Sequence, residues 1–190
     1  MTSNVAVLIM AAGAASRFGS PKQLAQYQGQ TLLQRCIDSA NVVFPNKVAV
    51  VLGAHAQQIE PQLSGAQVII NPQWKNGLGG SIAYGARHID PAAHGLLILL
   101  ADQIHISPEQ LQVMAKAFEG DNIVAAHYCG ARGVPAIFPR SYFQQLQELT
   151  EDSGAKTLLS NTALSVTEIA LPEAALDIDR PEDLHTLKKQ

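Results

Sequence analysis

The sequence predicts an α/β domain with a Rossmann-like, three-layer architecture around a mostly parallel sheet, and three observations carry that expectation. Short unbroken apolar runs at 5–10, 48–52, 68–70 and 96–101 alternate with stretches of helical period. The runs do not alternate apolar with polar residues, which is how strands read when helices cover both of their faces. Each run is closely followed by a small or polar residue, Gly13, Gly53, Asn71 and Asp102 in turn. In open parallel sheets ligands bind outside the carboxyl ends of the strands, where those residues would lie.

The helical segments announce themselves by their caps. Thr31 precedes Leu32, Leu33, Cys36, Ile37 and Ala40 on one stripe, and Gln34 completes a Thr-x-x-Gln capping box. Ser107-Pro108-Glu109-Gln110 repeats the signal, with Pro at the first helical position, ahead of Leu111, Met114, Ala115 and Phe118. A helix is expected over 82–89, capped by Gly80 or Ser81. Further on, the sequence predicts a strand at 123–127, an apolar stretch at 134–138, a helix over 142–149, a strand at 166–171 and a last helix from Pro181. No linker, repeat or low-complexity tract interrupts this order, so one domain over residues 1–190 is expected.

Composition narrows the function classes. Of the 190 residues 47% are hydrophobic and 15% charged, well under the usual charged share of about 25%, which argues against disorder. The longest apolar stretch, 5–15, is too short to span a bilayer. No Lys or Arg precedes Arg17, so the N-terminus is expected to belong to the fold. Cys36 and Cys129 form no Cys-x-x-Cys pair, which speaks against a disulfide framework or thiolate zinc site and for a cytoplasmic address. With 13 basic and 16 acidic residues and a pI near 6.0, neither nucleic acid nor membrane is an expected partner. Any phosphate binding must be local. Oligomeric state has no readable signal.

Residues 11–22 are the most informative segment. Small residues around Gly13 and Gly19 let backbone N–H groups approach an anion, while Arg17 and Lys22 can neutralise charge on a leaving group. Gly19 is followed by Ser20 rather than Lys, which excludes a Walker-type loop, and no Gly-x-Gly-x-x-Gly is present. The second strand ends Leu52-Gly53-Ala54-His55 without the acidic residue of a dinucleotide site. A tight turn built from small residues would explain the glycines but not two cations, which cannot be buried without partners.

The run Ala11-Ala12-Gly13-x-x-Ser16-Arg17-Phe18-Gly19-x-Pro21-Lys22-Gln23-Leu24 resembles the nucleotide-binding signature of the MobA-like nucleotidyltransferases. Its Ala-Ala-Gly start is similar to the molybdenum cofactor cytidylyltransferase branch, whereas the guanylyltransferase branch has Ala-Gly-Gly, and Ala12 stands at the differing position. The block Asn71-Pro72-x-Trp74-x-x-Gly77-Leu78-Gly79-Gly80-Ser81-Ile82 is similar to the same branch, with Ile82 replacing a Leu. The resemblance implies nucleotide contacts from Ala11, Ala12, Gly13, Arg17, Lys22, Asn71, Gly77, Leu78, Gly79, Ser81 and Asp102, with Arg17, Lys22 and Asp102 catalytic.

Asp102, at the end of an apolar strand, matches the family's metal-binding Leu-Ala-Asp element, and Mg²⁺ is the implied cofactor. Asp179 in Asp177-Ile178-Asp179 is similar to a second metal position, although Arg180 replaces the family's Thr and Asp179 could simply cap the following helix. Arg132, Gly133, Pro135, Gly154 and Ala155 match the acceptor-binding half, where Glu151 and Lys156 depart from the usual Gly and Arg. His127 and Cys129, on alternate positions, read as packing or surface residues rather than a metal pair. The implied reaction joins CTP to a phosphate-bearing acceptor such as molybdopterin, with release of pyrophosphate. GTP or a sugar phosphate as substrate, and a nucleotide sensor without turnover, are the alternatives.

Overall fold

The computed structural model describes residues 4–15, 18–150, 154–160, 165–178, 180, 182 and 183, and among these described residues nine strands and six short-to-medium α-helices have defined bounds. In order they are β1 Val5–Ala11, β2 Gln26–Tyr27, β3 Gln30–Thr31, α1 Leu32–Val43, β4 Val48–Leu52, α2 Ala56–Ile59, β5 Gln67–Ile70 and α3 Gly77–Ala86. Then come β6 Gly95–Leu100, α4 Pro108–Ala117, β7 Ile123–Tyr128, β8 Ala131–Pro139, α5 Phe143–Gln147, α6 Lys156–Leu159 and β9 Val166–Ala170. The main sheet has the order β5-β4-β1-β6-β8-β7-β9, and β2 pairs with β3 in a small hairpin. β8 is antiparallel to both β6 and β7, while every other neighbouring pair in the main sheet is parallel. The sheet is therefore mostly parallel, as expected.

Alternation along the strands divides the core into two layers. Val7, Ile9, Leu97 and Leu99 face Leu33 and Ile37 of α1 and Leu111 and Met114 of α4. Leu8, Met10, Leu96 and Ile98 face Ile82 and Ala86 of α3, with Leu146 and Leu159 completing that side. Each such burial contributes roughly 1.5–3 kcal/mol relative to exposure, so the strand runs order the fold more than any loop does.

The capping signals hold unequally. At α4 both bonds of the box form, Gln110 N donating to Ser107 Oγ at 3.3 Å and Ser107 N to Gln110 Oε1 at 2.9 Å. At α1 Gln34 N donates to Thr31 Oγ1 at 3.2 Å, but the Gln34 side chain turns to Asp38 and to the backbone of Ser64. That box is half made, because the loop before β5 offers Gln34 both a donor and an acceptor.

Three expectations are corrected. The 68–70 run, expected to be covered on both faces, is an edge strand, with Ile70 46% exposed. The helix expected over 82–89 starts five residues earlier: Gly77 to Ser81 form its first turns, and Asn76 at the cap makes no side-chain cap bond. Glycine's low helix propensity hides this, and packing against the sheet overrides it. The helix expected over 142–149 is reduced to α5, preceded by a 3₁₀ turn at Arg140–Tyr142. The last helix, from Pro181, falls largely outside the described residues. No helix among the described residues is long and apolar enough to cross a membrane.

Candidate active site

The strand order reverses between β1 and β6: from β1 the chain builds outward through β4 and β5, and from β6 toward the other edge. A switch of this kind leaves a crevice at the carboxyl ends of the two strands. A cavity of about 470 Å³ lies there, lined by Ala11, Ala12, Gly13 and Ala15 after β1, by Asp102 after β6, by Lys22 and Gln23, and by Trp74, Lys75, Gly77, Leu78 and Ser81. Its size suits a small-molecule ligand.

The loop after β1 is held from beneath. Gln23 is buried, and its Nε2 donates to Ala11 O at 2.9 Å and to Gly13 O at 3.1 Å. Two strand-end carbonyls are thereby satisfied by a side chain. Ala15 has φ +50°, a left-handed conformation that is uncommon for a residue with a Cβ and marks backbone strain in this loop.

Lys22 and Asp102 meet at the cavity. Lys22 Nζ lies 2.7 Å from Asp102 Oδ2 and donates also to Ile178 O at 3.2 Å, which ties the segment before Asp179 to the same point. The side chains are 19% and 17% exposed, so the pair is mostly desolvated and neither charge is well solvated without the other. Asp102 Oδ1 is buried and has no hydrogen-bond partner among the described residues, a carboxylate oxygen left with capacity for a cation. Behind it Cys36 donates from Sγ to Ala101 O at 3.4 Å, and burial, with the Asp102 charge adding, pushes its thiol up to about 12. Cys36 is an inert core residue.

The α3 side is prebuilt. Asn71 is buried, its Nδ2 donating to Ser81 Oγ at 3.2 Å and its Oδ1 accepting from Gln73 N at 2.9 Å. Asn71 and the buried Gly79 do not line the cavity; Asn71 orients the turn that does. Gly77, with φ +82°, makes the entry into α3 that an L side chain would strain.

A second cavity of about 330 Å³ adjoins the first across Leu78 and Leu100, which line both. Arg132, Gly133, Gly154 and Ala155 line it, together with Tyr128, Cys129 and Lys156. Pro135 does not: it is buried in β8, after a cis Val134–Pro135 peptide. Arg132 Nε donates to Glu168 Oε1 at 2.7 Å across β8, β7 and β9, and this bond holds the Glu168 carboxyl below its ordinary range. His127 Nε2 stands 3.9 Å from Glu168 Oε2.

Sequence reasoning missed Gln103. Between Ala125 and Ala126 the β7–β8 register shifts, and the bulge turns Val134 O out of the ladder. Buried Gln103 donates to that oxygen at 2.9 Å and to Ala174 O at 3.0 Å, and Tyr128 Oη donates to Val134 O at 3.1 Å. The residue after Asp102 thus pins the wall of the second cavity. Burial, with the Asp177 charge next, raises the Tyr128 phenol above its ordinary value, so it remains a donor.

Arg17, Asp179 and the stretch 151–153 lie outside the described residues. Among the described residues no cluster of three or more His, Cys, Asp or Glu side chains could hold a metal, so a cation here would rest on Asp102 and whatever joins it.

The class of the protein follows from its family, that of the nucleotidyltransferases. Residues 7–166 match the model of the MobA-like NTP transferase domain, and the chain belongs to that family. It is similar to nicotine blue oxidoreductase of Paenarthrobacter nicotinovorans, 27% identical over 95% of this chain and 94% of that protein. It is also similar to the crystal structure of Rv0371c from Mycobacterium tuberculosis H37Rv, with TM-score 0.87, 26% identity and 100% of both chains covered. Rv0371c has been solved in complex with manganese as well, at 25% identity and TM-score 0.82 over 99% of this chain and all of that one. A nucleotidyl transferase from Methanothermobacter thermautotroptrophicus shares the fold, with TM-score 0.80 and 20% identity over 97% and 96% of the two chains.

Proposed function

We propose that this enzyme transfers a cytidylyl group from CTP to the terminal phosphate of a molybdopterin-type acceptor, releasing pyrophosphate. The meeting of Lys22 and Asp102 beside the Gly13 loop, at the switch point of the sheet, carries this reading. The nucleotide would occupy the first cavity, with Ala11 to Gly13 and the entry of α3 at its phosphates and ribose. The acceptor would occupy the second, where Arg132 and Lys156 suit a phosphate. The Ala-Ala-Gly start and the 71–82 block favour cytidine over guanosine.

An acceptor phosphate oxygen attacks the α-phosphorus, the bond to the bridging oxygen of the β-phosphate breaks, and pyrophosphate departs. Positioning and charge neutralisation dominate such transfers, and the protein supplies both. Backbone N–H groups of the Gly13 loop orient the phosphates, and Lys22, with Arg17 from the same segment, neutralises charge on the departing pyrophosphate. Asp102, through the oxygen that has no partner among the described residues, and Asp179 would hold Mg²⁺, which when bound draws charge from phosphate oxygens. The manganese complex of Rv0371c supports a divalent cation.

The test is pyrophosphate release with Mg²⁺, molybdenum-loaded molybdopterin and CTP, GTP or ATP in turn, beside Asp102→Ala. Release with CTP alone, lost in the variant, is expected. Release with GTP would keep the chemistry and change the base, and no release with any nucleotide would favour a sensor or a different acceptor. The oxidoreductase relative, similar over nearly the whole chain, motivates a second reading, oxidoreduction in the same cavity. The missing dinucleotide fingerprint weighs against this reading, and consumption of NADH or NADPH without pyrophosphate release in parallel samples would support it.

A further inference from the structure

The first cavity has one aromatic wall, and neither Lys22 nor Asp102 accounts for it. Trp74 is the only tryptophan in the chain, it is half-buried, and it lines this cavity. Its position is fixed from three sides. Behind it, the end of β4 leaves no room for a side chain: a Cβ on Gly53 would stand 2.3 Å from Trp74 Cβ, 2.6 Å from Trp74 Cγ and 2.8 Å from Ala12 O. Glycine at 53 lets the tryptophan press against the end of β4, where Ala12 O of the neighbouring Gly13 loop also packs. From the chain, Asn71 Oδ1 accepts from Gln73 N at 2.9 Å, and the 3₁₀ turn Trp74–Asn76 closes when Asn76 N donates to Gln73 O at 2.9 Å. From solvent, Lys75 Nζ sits over the indole at 5.7 Å from the ring centroid, within cation–π range.

An indole serving only to fill the core would not need to line a cavity together with two lysines, Lys22 and Lys75. A fixed aromatic plane beside cations presents complementary surfaces to a ligand that is flat at one end and anionic at the other. A wall already held in place also loses little freedom when a ligand stacks on it.

We infer that Trp74, seated on Gly53, is the surface that takes the nucleobase of the bound nucleotide, contributing affinity through stacking while leaving the choice of base to the polar groups around it. This inference rests on the proposed nucleotide-transfer reading. Every base has a π-face, so the contribution of Trp74 should be similar for CTP and GTP.

Because the chain has a single tryptophan, its emission reports on this wall without labelling. Titration of the whole protein with CTP in Mg²⁺ is expected to quench it, whereas inorganic tripolyphosphate, which carries the charge without a base, should bind without comparable quenching. Calorimetry should show Trp74→Ala weakening CTP roughly five- to hundredfold and Trp74→Phe only a few-fold, with tripolyphosphate affinity unchanged in both. The phenylalanine variant preserves packing on Gly53 and guards against a folding defect in the alanine variant. CTP binding measured by calorimetry without quenching, and with unaltered affinity in both variants, would overturn the role of Trp74 and leave the transfer reading standing. Absence of any CTP binding in the wild-type protein would overturn both.

Discussion

The two cavities are built by different means. The first stands on parallel strands: backbone ends of β1, a carboxylate after β6 and the entry of α3 converge on it, and Gln23 and Asn71 are spent on holding its loops. The second stands on β8, the strand that runs against its neighbours, and its cation Arg132 is aimed by Glu168 from β9. On the proposed reading, nucleotide chemistry rests on backbone geometry, whereas acceptor choice would rest on side chains of a strand pair, where a substitution can act without disturbing the sheet. Gln103 joins the two by reaching from the Asp102 loop to Val134 and Ala174.

Breaking the first region at its charge pair should give the largest effect. Lys22→Ala is expected to lower kcat by roughly 10²–10³, as removal of a preorganised charge-stabilising donor does, and to lower the melting temperature as well, because it leaves the mostly desolvated Asp102 carboxylate without its cation. Steady-state pyrophosphate release and thermal denaturation check the two halves of that expectation. Gly53→Ala attacks the same region through packing instead. The added methyl meets Trp74 and Ala12 O well inside contact distance, so a stability loss of about 1–3 kcal/mol is expected in urea denaturation. The corresponding clash at Gly133 is with the far end of the Tyr128 side chain, which can swing aside, so Gly133→Ala should be the milder change.

A smaller effect sharpens the boundary between the regions. His105, in the loop after Asp102, is held below its ordinary pKa by burial first and then by the Arg35 charge, with Glu173 opposing. The folded state therefore resists protonating it, and the unfolded state takes up that proton first as pH falls through about 6.5. Stability should decline on acidification from pH 7 through that range, and His105→Gln should flatten the decline in melting temperature against pH.

Much of this arrangement was legible in the sequence. Apolar runs without alternation announced buried strands, and the small residues and cations around Gly13, with Asp102 at a strand end, marked the first cavity because their position and chemistry agree. The remainder lies in contacts between distant segments. An apolar run at 134–138 carries no sign of direction, so the antiparallel course of β8 was hidden, as was the bulge that exposes Val134 O. Glycines at 77, 79 and 80 read as loop because propensity is local and packing on the sheet is not. Nothing distinguishes Gln103 from other glutamines until Val134 and Ala174 are brought to it, nor Glu168 until β9 lies beside β7.

The central claim is that the two cavities divide the work, nucleotide in the first and acceptor in the second. Kinetics of Arg132→Ala and Glu168→Gln test it most directly, with CTP affinity measured by calorimetry on the same preparations. The account predicts an acceptor KM raised roughly tenfold or more for Arg132→Ala and by less for Glu168→Gln, with the CTP dissociation constant unmoved in both. A CTP dissociation constant that rises in step with the acceptor KM would contradict the division.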